Sequence, residues 1–111
     1  MKDDSIYCSH ILDAIARIEQ YTRGLGKKQF VKNQLVQDAV IRQIEIIGEA
    51  AKQVSPQFRE KHAFVPWAKM AGMRDKLIHA YLGVDLEAVW DTVERDLPLL
   101  KTQVAEIIAG K

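Results

Sequence analysis

Arginine, a carboxylate, a histidine and a tyrosine stand close together at Arg74, Asp75, His79 and Tyr81, in the stretch Gly72-Met73-Arg74-Asp75-Lys76-Leu77-Ile78-His79-Ala80-Tyr81-Leu82-Gly83. Imidazole, with an ordinary pKa of about 6.5, gives or takes a proton near neutrality. Guanidinium presents forked donors that match a phosphate. The pair suits metal-free cleavage of RNA, in which a 2′-hydroxyl attacks its own 3′-phosphate. That reaction needs proton transfer and stabilisation of charge on the phosphoryl oxygens, and no cofactor. Each residue also has a plainer reading. Arg74 can pair with Asp75 or with an acid of the last helix, His79 can be a hydrogen-bonded residue at the core edge, and Tyr81 can pack at a helix end.

These residues fall in a chain whose apolar spacing is helical throughout. A first helix carries the stripe Tyr7, Ile11, Ala14, Ile18, Tyr21 and Leu25, with Asp3, Asp4 and Ser5 as N-cap candidates and Gly24 with Gly26 as a stop. A second covers about 33–54, with Val36, Val40, Ile44, Ile47, Ala51 and Val54 on one face. Ala39, Ile41, Ile46 and Ala50 widen that face, which predicts a central helix. Ser55-Pro56 opens a short helix before His62, and Pro66 opens a third main helix from Trp67 to about Tyr81, ended by Gly83. Asp85 caps the last helix, whose stripe runs Leu86, Trp90, Val93, Leu97, Leu100, Val104 and Ile107, with a kink expected at Pro98. The expected fold is all-α, an up-and-down bundle of four main helices plus a short helix.

On one ideal helix, Arg74 and His79 lie about 140° apart and about 7.5 Å along the axis. They do not share a face, whereas Arg74 and Tyr81 do. Asp75 and His79 form an i, i+4 pair, so Asp75 is placed to orient the imidazole and support its charged form. For Arg74 and His79 to act on one phosphate, the helix must distort or two copies must meet. A two-fold homodimer with a shared cleft is the expectation.

Composition narrows the remaining classes. Residues 1–111 suit a single domain, with 48% hydrophobic and 28% charged residues, which excludes a disordered chain. A net charge of +1 does not indicate a generally basic nucleic-acid binder. Charge is nonetheless uneven: Arg23, Lys27, Lys28 and Lys32 fall in a stretch without acids, and Asp85–Asp96 holds five acids against Arg95. The basic stretch suits either a phosphate backbone or ordinary solvent. A single cysteine, Cys8, forms no internal disulfide and no thiolate cluster. Asp75 with His79 is too small a set for a metal, and neither His10 nor His62 has partners at ligand spacing, so no metal and no cofactor are expected. Glu45 and Glu49 make an i, i+4 carboxylate pair on the second helix. With no apolar run of spanning length and no signal-like start, the expectation is no membrane association and a cytoplasmic location.

The order arginine, four residues, histidine, one residue, tyrosine resembles the motif of HEPN domains of the HepT type. The resemblance continues through Ile47-Gly48-Glu49-Ala50-Ala51, Pro66-Trp67, Gly83-Val84-Asp85 and Trp90, covering roughly 6–108. It implies a HEPN-like, homodimeric, metal-independent endoribonuclease, the toxin of a toxin–antitoxin pair. Its implied partner is a minimal nucleotidyltransferase antitoxin (MntA-like) that attaches AMP to the motif tyrosine. By this resemblance Arg74 and His79 are catalytic, Tyr81 is the AMP acceptor and RNA is the substrate. The family commonly has asparagine after the arginine, where this chain has Asp75. A carboxylate there adds repulsion beside the phosphate site and stands where it can tune His79. The alternative is a non-catalytic HEPN module that binds nucleotide or RNA, or that only engages the nucleotidyltransferase.

Overall fold

The computed structural model describes residues 3–79 and 83–110. Helix α1 (Asp4–Thr22) starts where the Asp3 carboxylate accepts from the Ser5 amide at 2.9 Å, and it ends before Gly24, whose φ of +79° turns the chain away. A single turn, α2 (Lys27–Phe30), follows and buries Phe30 against Trp90 with ring centroids 5.1 Å apart. Helix α3 (Gln34–Gln53), capped by Asn33, is central as expected and packs along α1. Ile11, Ile15 and Ile18 of α1 share one core with Val40, Ile44, Ile47 and Ala51 of α3. Ser55 caps the short α4 (Pro56–Lys61), and Arg59 closes the end of α3 by donating to the carbonyls of Ala51 at 2.9 Å and Lys52 at 3.1 Å.

The third main helix departs from expectation. It is split at Gly72 into α5 (Trp67–Ala71) and α6 (Met73–Leu77), and it stops four residues short of Tyr81. Past Leu77 the backbone becomes extended: β1 (Ile78–His79) pairs antiparallel with β2 (Gly83–Val84), with His79 opposite Gly83. Gly83 has a φ of +83°, a conformation that glycine adopts without a Cβ penalty. The Asp85 amide donates to the Leu77 carbonyl at 3.0 Å, satisfying a group that the helix end leaves open. Apart from this small strand pair, the regular elements among the described residues are helices, and the all-α architecture holds.

Asp85 caps α7 (Leu86–Asp91), and a π turn over Thr92–Asp96 leads into α8 (Leu97–Ala109). The irregularity expected at Pro98 therefore falls just before it. Proline has no amide to give the Glu94 carbonyl, and the Leu97 amide bonds five residues back to Thr92. Helix α8 returns across α1, where Lys101 meets Glu19 at 3.0 Å. Among the described residues, no helix is long and apolar enough to cross a membrane.

Candidate active site

Three elements meet around Arg74. Helix α3 packs against both α5 and α6, and Gly48 allows the approach. A Cβ at Gly48 would stand 3.4 Å from the Met70 carbonyl oxygen and 3.5 Å from that of Ala71, so little more than a methyl group fits between the helices. Three residues before Gly48, on the same side of α3, Glu45 reaches α6. Its Oε2 accepts from Arg74 Nε at 2.8 Å. Met73 and Leu77 are buried on either side of Arg74 in α6 and anchor that helix to the core.

Arg74 is half exposed at 50%, Glu45 is 30% exposed and Asp75 81% exposed. Asp75 Oδ1 stands 3.5 Å from Arg74 Nη1, an ion-pair distance too long for a good hydrogen bond. On the other side, Arg42 Nη1 lies 3.8 Å from Glu45 Oε1. The Glu45 hydrogen bond and charge raise the Arg74 pKa above its already high value, and the Asp75 charge adds to this against slight desolvation. Arg74 is therefore a permanent, half-exposed cation with Nε committed to Glu45.

The helical geometry expected of the motif does not apply past Leu77. His79 sits on β1, so Asp75 and His79 are not an i, i+4 pair on one helix face, and the side-chain partner seen for Asp75 is Arg74. Helix α6 also ends between Arg74 and Tyr81. Tyr81 itself lies outside the described residues. The helix ends between Arg74 and His79.

Sequence reasoning missed Glu45 as the partner of Arg74. An acid of the last helix was the expected long-range partner, and a residue of α3 takes that place. The carboxylate pair Glu45 and Glu49 was visible, but it splits: Glu49 lies 3.6 Å from Lys52 Nζ and Glu45 turns to Arg74. The spacing of Glu45 one turn before Gly48 was the available signal. The uneven charge resolves locally too. Lys27 of the basic stretch bonds Glu87 of the acidic one, and Asp91 and Glu94 add to the pull that raises the Lys27 pKa. That cation is paired at the surface with an acid of α7. His10 faces Tyr7 edge-on at 6.2 Å, and His62 packs on Phe58 at 4.5 Å. Among the described residues, no three metal-ligating side chains gather.

Comparison with known proteins defines the class. The family model described as "Ribonuclease HepT-like" matches residues 11–107. The chain is 48% identical over 95 residues to the protein named probable ribonuclease HepT of Thermococcus cleftensis, covering 86% of each. It is 44% identical to a candidate RNase of Caldanaerobacter subterraneus subsp. tengcongensis, covering 97% of this chain and 96% of the relative. A Methanocaldococcus jannaschii protein named for gamma-glutamylcyclotransferase and a candidate RNase is 48% identical over 107 residues, and the chain spans 48% of its length. No solved structure matches. The chain belongs to the ribonuclease HepT-like family.

Proposed function

We propose that this chain is a metal-independent endoribonuclease, the toxin of a toxin–antitoxin pair, acting as a homodimer with Arg74 and His79 at a shared cleft. The observation that carries the reading is the family match across 11–107, which includes a half-exposed arginine held on one edge and followed by a histidine on a separate backbone segment. In the reaction, the 2′-hydroxyl attacks the adjacent phosphorus and the 5′-oxygen leaves. This gives a 2′,3′-cyclic phosphate and a 5′-hydroxyl. His79 moves the proton, and Arg74 stabilises charge gathering on the non-bridging oxygens. Neither role calls for a metal.

Exposed apolar side chains support the dimer. Phe64 and Leu99 are exposed and, with Met70, Met73 and the polar Lys69 and Asp96, line a groove of about 180 Å³. A second copy covers such a surface well. Control runs through Tyr81, to which a minimal nucleotidyltransferase partner transfers AMP. The added phosphate competes for Arg74, and the adenosine group obstructs RNA entry.

One observation favours the non-catalytic alternative: two carboxylates, Glu45 and Asp75, already lie against Arg74. Incubating the protein in EDTA with an RNA and with its all-2′-deoxy counterpart separates the two. The ribonuclease reading expects cleavage of the RNA alone, lost in His79→Ala. Binding of RNA without any cleavage would establish the non-catalytic module.

A further inference from the structure

We propose that Glu45 is a positioning residue of the cleavage site, fixing the Arg74 guanidinium so that its Nη edge faces the scissile phosphate. The proposal rests on the ribonuclease reading above. A guanidinium carries five N–H donors in a rigid plane, and a phosphate is best met by two of them at once. Glu45 takes the one on Nε, at 2.8 Å. That bond fixes the rotation of the plane about the end of the side chain. Four donors remain on Nη1 and Nη2, two of them side by side on the terminal edge. Asp75 touches that edge only at 3.5 Å from Nη1.

The supporting elements are unequal, which gives the bond its direction. Arg74 belongs to a five-residue helix followed by a change to extended backbone. Glu45 belongs to the 20-residue central helix, held against the Met70 and Ala71 carbonyls through Gly48. The rigid partner therefore positions the less constrained one. The same carboxylate lies 3.8 Å from Arg42, so Arg42, Glu45, Arg74 and Asp75 together carry no net charge. A negatively charged Glu45 attracts no phosphate itself. Its effect belongs in the chemical step more than in RNA binding.

The test compares wild type, Glu45→Ala and Glu45→Gln, each alone and with Arg74→Ala, in RNA cleavage with EDTA present. Glu45→Ala should lower kcat about 10- to 100-fold with KM little changed. Glu45→Gln keeps one oxygen acceptor for Nε and should recover most of the rate. In the Arg74→Ala background, Glu45→Ala should cost nothing further. Glu49→Ala, one turn along the same helix and paired with Lys52, serves as the control and should leave kcat unchanged. Equal losses from Glu45→Ala with and without Arg74 would overturn the proposal while leaving the ribonuclease reading intact. Exchange of the Arg74 Hε proton with water, followed by nitrogen-15 NMR, reads the positioning without any activity. It should be slow in wild type and Glu45→Gln and fast in Glu45→Ala. A wild type that cuts no RNA would end the ribonuclease reading, and unchanged Hε exchange in Glu45→Ala would end this one.

Discussion

At the scale of single residues, the proposed reaction assigns charge stabilisation to Arg74 and proton transfer to His79. The Arg74 pKa is raised, chiefly by Glu45. A cation with a raised pKa keeps its pairing energy at every pH below its unfolded value and loses it only as pH climbs through the folded one. That window lies far above neutrality, so Arg74 gives neither activity nor stability a pH dependence between about pH 5 and 9. In the proposed reaction the group expected to change the cleavage rate in that range is an imidazole. A rate profile that bends near the ordinary histidine range in wild type should flatten for the residual activity of His79→Ala. A bend that survives the substitution would assign it to another group. Arg74→Ala and His79→Ala should each cost on the order of 10² to 10⁴ in cleavage rate. Both should leave the melting temperature nearly unchanged, because an ion pair as exposed as Arg74 with Glu45 adds little to stability. Tyr81→Phe should fold, cleave and escape silencing when co-expressed with the nucleotidyltransferase. Intact-mass measurement checks it: an AMP increment on the Phe variant equal to that of wild type would move the acceptor elsewhere.

At the scale of elements, Gly48 sets how closely α3 approaches α5. Gly48→Ala places its methyl in ordinary contact with the Met70 carbonyl at 3.4 Å and gains helix propensity, roughly 1 kcal/mol relative to glycine. The expected thermal melt is unchanged or higher. Gly48→Val pushes branched carbons into the same backbone and should destabilise by about 1–3 kcal/mol. A valine variant as stable as wild type would show that the interface yields. The helices were legible in the sequence where apolar stripes are long or caps explicit: Asp3, Ser55 and Asp85 all receive the amides that their types suggest. The site was legible as residue types and illegible as geometry. Ile78 and His79 continue a plausible helical pattern, and only pairing with Gly83 and Val84 makes them extended. Glu45 and Arg74 stand 29 residues apart, and no local pattern reports a contact across that distance. The π turn over Thr92–Asp96 is the same kind of case, a backbone shift forced by Pro98 downstream of it.

At the scale of the whole molecule, the account depends on two copies meeting. The exposed Phe64 and Leu99 offer apolar surface to a second copy, which is where the proposed dimer is expected to meet. Light scattering at micromolar concentration should give twice the 12.6 kDa chain mass, and a fully active monomer would contradict the shared cleft. The central claim is the chemistry, and product analysis tests it most directly. One RNA is cut under single-turnover conditions in EDTA by wild type, Arg74→Ala and His79→Ala, and the new 3′ end is identified by mass. The account predicts a 2′,3′-cyclic phosphate from the wild type and a loss of at least about 10²-fold in both variants. A 3′-hydroxyl end, or His79→Ala cutting at the wild-type rate, would contradict it.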